Sequence, residues 1–343
     1  MIDQLYYNDN HIQLYKGDCR SMYELEDESV QCAVTSPPYW GLRKYTGLPD
    51  LIWGDWKGQL GLEPTPELYI SHLVEICREI RRVLRKDGVF FLNIGDSYYG
   101  GNKGYGDTRP PGTALSNIHG NIFGEPNWLR AKKAGVKVNM KPKDICLIPF
   151  RLAISLQEDG WWVRSVIIWS KNNPMPESVT DRPTESHEYI LMLTKSKNYY
   201  WDQEAVREPL QPSTESRYQY DVGFHDKRDL MPKEDWVDDR RAYGYPQKRG
   251  YKTKRVERGN NPELNNRNFM PIQGEQFHGQ DINSYPSGRN IRSVWEFPTQ
   301  GYPEAHFATF PEKLPETCIK AATPEEGGCS KCGAPWERII ERD

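Results

Sequence analysis

No stretch of the 343-residue chain approaches the roughly 18 consecutive apolar residues that a membrane helix needs. The first ten residues, Met1 to Asn10, have neither a basic start nor an apolar core, so no secretory leader is expected and the chain reads as cytoplasmic, with no membrane partner. Its seven cysteines are odd in number and scattered, at positions 19, 32, 77, 146, 318, 329 and 332, which argues against a disulfide framework and for a reducing compartment. The charge excess of a uniformly basic nucleic-acid coat is also missing: 45 Lys and Arg stand against 48 Asp and Glu, a formal net charge of −3. Aliphatic residues run short between Asp202 and Asn290, where nine Val, Leu or Ile occur in 89 positions, too few for an independent core.

What the sequence does contain begins with the apolar stretch Val30 to Val34 and the run Thr35-Ser36-Pro37-Pro38-Tyr39-Trp40 behind it. This spells a strand that ends in a rigid, aromatic-capped turn. Two successive prolines fix φ and remove two backbone donors, so the carbonyls of Ser36, Pro37 and Pro38 are expected to point outward as acceptors. With a hydroxyl and an aromatic face beside them, they suit a flat ring that carries an amino group.

The first third of the chain alternates strand-like and helix-like signals, which predicts an α/β fold with a mainly parallel sheet. Apolar residues at 69, 70, 73, 76, 77, 80, 83 and 84 give Glu67 to Arg85 the spacing of an amphipathic helix, closed by Asp87-Gly88. Val89 to Ile94 is the next strand, leading into Gly95-Asp96-Ser97 at its carboxyl end, where open α/β sheets place ligands. A long Gly-, Asn- and Pro-rich connection from Tyr98 to about Lys141 follows. Ile145 to Gln157 then reads as a helix broken or started near Pro149. Trp161 to Ser170 and Glu188 to Thr194 read as strands, with Tyr199 to Trp201 a hairpin partner for the latter.

Local charge departs from the average. Arg130 to Lys143 holds six Lys or Arg and no acid before Asp144, and Arg240 to Arg258 holds eight against the single acid Glu257. Both runs sit among aromatics and glycines, which suits phosphate contact.

The Ser-Pro-Pro-Tyr turn resembles the signature of DNA amino-methyltransferases, which methylate the exocyclic nitrogen of cytosine or adenine. Further blocks match that family in order. Asp18 stands in Tyr15-Lys16-Gly17-Asp18-Cys19, and Asn93 to Tyr98 resembles the strand end after the next helix. Trp169 to Pro176, Asp181-Arg182-Pro183 and His187-Glu188 resemble the blocks that line the target base. His306 to Leu314 resembles the helix entry beside the cofactor's methionine end. The order is similar to the circularly permuted (beta) class. The resemblance implies a Rossmann-like class I S-adenosylmethionine-dependent methyltransferase sheet with an irregular target-recognition region. It divides the chain into a base-binding half at 1–201, a recognition region at 202–298 and the start of a cofactor half at 299–343.

It also implies roles. Ser36, Pro37, Pro38 and Tyr39 would hold and stack a base flipped out of double-stranded DNA. Acceptors aimed at the amine favour the pyramidal nitrogen that attacks a sulfonium methyl, and base–aromatic stacking contributes roughly 1–3 kcal/mol toward unstacking the base. Asp18, His306, Phe307, Ala308, Phe310 and Pro311 would contact S-adenosyl-L-methionine. Arg130, Lys132, Lys133, Arg240, Arg241, Lys248, Arg249, Lys252, Lys254 and Arg255 would hold phosphates. Serine at position 36 is more usual in relatives that act on cytosine N4 than on adenine N6, in bacterial or phage modification systems. His187 and Glu188 read equally as an acid/base pair or as a polar strand start.

One expected element is not found. In the permuted class the block at His306 leads to a glycine-rich turn that lets the backbone approach the cofactor, and no Gly-x-Gly follows here. The sheet is therefore expected to be incomplete in this chain, with a second polypeptide or a C-terminal continuation supplying the turn. The alternative is a non-catalytic DNA-binding fragment. Cys329-Ser330-Lys331-Cys332-Gly333 has the spacing of a zinc-ribbon knuckle, but a closed site wants four ligands and only Cys318 and His306 lie nearby. Cys329 and Cys332 read as half a site, with zinc only if further ligands exist beyond this chain.

Overall fold

The carboxyl end of Val30–Thr35 is where the chain concentrates its chemistry, and the sheet is what fixes that end in space. A computed structural model describes residues 4–9, 11–45, 48–100, 127–210, 288–301, 309–329 and 334–337. The chain divides into two units, Met1–Arg207 with Asn290–Ile339, and Glu208–Arg289 with Ile340–Asp343. In the second unit Glu208 and Arg289 form an isolated antiparallel bridge closed by an ion pair at 2.9 Å. Its basic run from Arg240 to Arg258 lies outside the described residues.

The first unit contains, in order, the strands β1 (Gln4–Asn8), β2 (Gln13–Lys16), β3 (Val30–Thr35), β4 (Leu51–Trp53) and β5 (Trp56–Gly58), the helix α1 (Pro66–Val83), and β6 (Leu84–Ile94). There follow α2 (Asn127–Lys133), α3 (Ile148–Glu158), β7 (Trp162–Ser170), β8 (His187–Thr194), β9 (Val294–Glu296) and α4 (Lys313–Ala322). β1–β2 and β4–β5 are antiparallel hairpins, and the main sheet runs β3-β6-β8-β7-β9.

β3–β6 and β7–β9 are parallel, whereas β6–β8 and β8–β7 are antiparallel. The sheet is therefore mixed rather than mainly parallel. Both its faces are covered, which explains the continuous apolar runs in its central strands. Phe90, Leu92, Ile94, Leu191 and Leu193 join a cluster with α1 and α3, while Val89, Phe91, Ile190 and Met192 alternate into a second cluster with α4 and Trp295. β9 lies in the segment expected to be recognition region, yet Trp295 pairs with Trp169 as part of the sheet.

α1 begins where its sequence says it should. Thr65 caps it by accepting from Leu68 N at 3.2 Å, Pro66 occupies the first turn, and Tyr69, Ile70, Leu73, Val74, Ile76, Cys77, Ile80 and Val83 form the buried stripe. Asp87-Gly88 does not close the helix. The chain enters β6 directly at Leu84, which pairs with Val30. Tyr199–Trp201 forms no strand: Tyr200 is buried and its N–H bonds to Asp87 O at 2.8 Å. Pro149 starts α3 rather than breaking it. No described helix is long and apolar enough to cross a membrane.

Candidate active site

Four segments meet at the carboxyl end of β3: the turn Ser36 to Tyr39, the end of β6 at Asn93 to Gly95, the start of β8 at Glu188, and Lys171 just past β7. Tyr39 folds back over the end of β6. A methyl group added at Gly95 would lie 2.8 Å from Tyr39 Cε2, so only glycine allows the ring to lie against the backbone there.

The Tyr39 hydroxyl uses all of its hydrogen-bonding capacity. It donates to Glu188 Oε2 at 2.5 Å, and it accepts from Asn93 Nδ2 at 2.8 Å and from Ser36 Oγ at 3.1 Å. Asn93 Nδ2 also donates to Glu188 Oε2 at 2.8 Å, and Lys171 Nζ lies 2.5 Å from Glu188 Oε1. Burial first, then the neighbouring Glu188 charge, pushes the Tyr39 phenol well above its ordinary pKa, so it stays protonated.

The back of the turn is anchored separately. Tyr69 Oη donates to Pro38 O at 2.7 Å, which corrects the expectation that this carbonyl points outward: α1 has claimed one of its lone pairs. Gly61 packs on the same backbone in the left-handed region (φ 89°), where a Cβ would come within 3.0 Å of Tyr39 O. The fully buried Glu63 accepts from Gly61 N at 2.8 Å and pairs with His72 Nδ1 at 2.9 Å. Trp40 Nε1 donates to the Glu63 carbonyl at 3.0 Å. Trp53 and Trp56, from the β4–β5 hairpin, stack on His72 with centroid separations of 4.4 and 5.4 Å.

An apolar-backed turn that presents a serine hydroxyl and an aromatic ring at a strand's carboxyl end belongs to a known group of proteins. The family described as DNA methylase (N6_N4_Mtase) matches residues 30–329. The chain belongs to that family. It is 36% identical over 317 residues to the type II methyltransferase M.Cfr9I of Citrobacter freundii, covering 92% of this chain and 73% of that one. It is 32% identical over 314 residues to M.SmaI of Serratia marcescens, covering 91% and 75%. Among solved structures it is similar to the PvuII DNA methyltransferase (cytosine-N4-specific), with 12% identity, a TM-score of 0.44, and coverage of 91% of this chain and 71% of that one.

This methylase draws its methyl group from S-adenosyl-L-methionine, as its family does. The described residues expected to contact that cofactor do not converge. Asp18 is paired with Arg20 at 2.6 Å, and Arg20 lies over Trp53 in the α1-side cluster. Phe310 and the buried Pro311 sit on the other face of the sheet, where Phe310 packs into the α4-side cluster. His306, Phe307 and Ala308 lie outside the described residues. The described set makes no cradle for the cofactor.

Of the cationic residues, Arg130, Lys132 and Lys133 fall in the last turn of α2, and Arg240, Arg241, Lys248, Arg249, Lys252, Lys254 and Arg255 lie outside the described residues. Arg130 and Lys133 line a groove of about 370 Å³ with Lys44, Lys57, Trp56 and Asp50. This groove adjoins the turn, because a methyl group added at Gly41 would lie 3.6 Å from an Arg130 guanidinium nitrogen. Cys329 is half-buried with its N–H bonded to Ala334 O at 2.8 Å, and Cys332 lies outside the described residues. Cys318 is buried in the α4-side cluster, and burial pushes its thiol well up. Among the described residues no group of three His, Cys, Asp or Glu could hold a metal ion.

Sequence reasoning placed Asn93, Gly95 and Lys171 in segments expected beside the site without giving them individual roles, it missed Tyr69, and it left Glu188 undecided. It also missed an acidic corner beside the site. Asp96 Oδ1 accepts from Ile148 N at 3.1 Å, at the start of α3, and burial raises its pKa. Burial, then the charges of Asp96 and Glu177, raises Glu185 to about 7. Because the folded state holds that proton more tightly than the unfolded chain, the stability it lends is full below about 4.5 and is lost as pH rises through about 7. Glu185→Gln should therefore stabilise the protein at pH 8 by about 1 kcal/mol, discounted for solvent screening, with the gain vanishing near pH 4.5. Urea midpoints of both proteins across that range check it. A gain independent of pH would exclude the carboxylate as its source.

Proposed function

We propose that this methylase transfers the methyl group to the exocyclic amine of a base flipped out of double-stranded DNA, with cytosine N4 favoured over adenine N6. The observation that carries the reading is the Ser36 hydroxyl, whose proton is directed into Tyr39 Oη at 3.1 Å so that its lone pairs are left for an amine. An exocyclic amine is a poor nucleophile because its lone pair is delocalised into the ring. An acceptor on its hydrogens stabilises the positive charge that nitrogen gains as it attacks a sulfonium methyl. Ser36 and the Pro37 and Pro38 carbonyls are the acceptors in this reading, with one Pro38 lone pair already taken by Tyr69. Tyr39 stacks on the base. Serine in place of an acid or amide at position 36 supports cytosine.

Arg130 and Lys133, with Lys44 and Lys57 in the same groove, suit the phosphates beside the flipped nucleotide, with Lys132 on the same helix turn, and the Arg240 to Arg255 cations suit the flanking duplex. The 202–298 segment, apart from the β9 strand that joins the sheet, is proposed as the recognition region, and the setting as the cytoplasm of a bacterium carrying a restriction-modification system. Expression in a methylation-deficient host followed by nucleoside mass spectrometry should reveal N4-methylcytosine in host DNA. N6-methyladenine instead would overturn the choice of base, and the absence of both would overturn the activity.

A second reading is supported by the engagement of Asp18 with Arg20, which lies over Trp53, while Phe310 packs into the α4-side cluster. In it, a second polypeptide or C-terminal continuation carries the glycine-rich cofactor turn, and this chain alone is DNA-binding. Calorimetry of the chain with S-adenosylmethionine decides between them: micromolar binding removes the second reading.

A further inference from the structure

A serine hydroxyl has one proton and two lone pairs, so it can face an amine either as acceptor or as an opposing donor. Only the first holds the target. At this site the direction is set from outside the turn. Ser36 Oγ donates to Tyr39 Oη, and Tyr39 Oη can accept that proton only because its own is committed to Glu188 Oε2 at 2.5 Å. Asn93 Nδ2 reinforces the same sense by donating both to Tyr39 Oη and to Glu188 Oε2, each at 2.8 Å. A carboxylate has no proton to return, and Lys171 Nζ pairs with its other oxygen, 2.5 Å from Glu188 Oε1. The β7–β8 register places Trp169 opposite Glu188, with Lys171 two residues beyond Trp169 and its ammonium 5.1 Å from the Trp169 ring centroid, so the ion pair is held by the sheet itself.

We propose that Glu188, held by Lys171, fixes the direction of the Ser36–Tyr39 hydrogen-bond chain and thereby makes Ser36 Oγ a committed acceptor for the target amine. Glu188 is a positioning residue. It touches no reacting atom and works only through Tyr39 and Ser36. With the carboxylate removed, the Tyr39 hydroxyl is able to turn toward Ser36, and the serine proton then faces the amine it should hold. The inference rests on Ser36 being the amine's acceptor.

A double-mutant cycle tests it, with tritiated S-adenosylmethionine and methylation-free plasmid DNA as probes. Glu188→Ala should lower kcat about tenfold, the worth of one oriented hydrogen bond, with KM for DNA within about twofold. On a Ser36→Ala background the same change should cost nothing further, because no serine proton remains to direct. An equal loss on both backgrounds, or no loss in the single variant, overturns the proposal. A fully active Ser36→Ala instead overturns the reading of the turn, which is a distinct result. Glu188→Gln keeps the side-chain volume and serves in the same cycle if the alanine variant does not fold. Independently of turnover, the Tyr39 hydroxyl proton should resonate far downfield in the wild type and in Ser36→Ala, and lose that shift in Glu188→Ala. An unchanged shift there also overturns the proposal.

Discussion

Tyr39→Ala should lower the rate of methyl transfer by about a hundredfold while leaving salt-dependent DNA binding within about twofold of the wild type. Two losses add. In the proposed reading the ring stacks on an extruded base, a contact worth roughly 1–3 kcal/mol that is made only after the base has left the duplex, so its loss falls on kcat rather than on duplex affinity. The hydroxyl is the node joining Ser36, Asn93 and Glu188, and its removal leaves the largely buried Glu188 carboxylate short of a donor, at a cost of about 1–3 kcal/mol. Tyr39→Phe separates the two, since it keeps the ring against Gly95 and removes only the node. Single-turnover transfer and filter binding at several salt concentrations measure both quantities. If Tyr39→Ala weakens DNA binding as much as it slows transfer, the ring is part of the duplex-binding surface rather than a platform for a flipped base.

Much of the scaffold around this site was legible in the sequence because it is written in short-range pattern. β3 occupies the residues that the apolar run Val30 to Thr35 predicts, and α1 follows its 3.6-residue stripe to within two residues of each expected end. Strand direction is not written that way. An apolar run reads the same in a parallel or an antiparallel pair, so β8, covered on both faces, gave no sign that it runs against both β6 and β7. The start of β6 was hidden for a related reason. Arg85, Lys86 and Asp87 interrupt the apolar pattern, yet the backbone of Leu84 is already paired with Val30.

The site divides along the same line. Ser36, Pro37, Pro38 and Tyr39 are contiguous, and their residue types announce an acceptor turn. Glu188 meets Tyr39 across 149 positions of sequence, and Asn93 meets it across 54, contacts that exist only once the sheet has assembled. Tyr69 was hidden inside a correct assignment. It belongs to the apolar stripe of α1, and nothing in the spacing reveals that its hydroxyl reaches the Pro38 carbonyl. Asp18 shows the converse: a residue placed by a weak local match proves to be engaged with its own neighbour, Arg20.

Glu63→Ala should be the most destabilising single change near the site, by about 3–5 kcal/mol, the cost of breaking a buried pair by removing one partner. Glu63 is fully buried, and its carboxylate satisfies two donors that have no water to turn to, Gly61 N at 2.8 Å and His72 Nδ1 at 2.9 Å. His72 is itself packed between Trp53 and Trp56, so it cannot swing out to solvent without opening the β4–β5 hairpin. The damage should not stop at stability. Gly61 holds its left-handed conformation against the Pro38 and Tyr39 carbonyls and accepts from Gly41 N at 2.8 Å, so once its own N–H is orphaned the back wall of the acceptor turn loosens. The variant should therefore melt earlier and, at a temperature where it is still folded, show a reduced kcat with little change in KM for DNA. Glu63→Gln, which keeps the shape and one acceptor oxygen, should recover most of the stability. Urea denaturation and single-turnover transfer on the two variants check this. A Glu63→Ala protein as stable as the wild type would show that water replaces the carboxylate, and a loosened variant with full kcat would show that the turn does not depend on its wall.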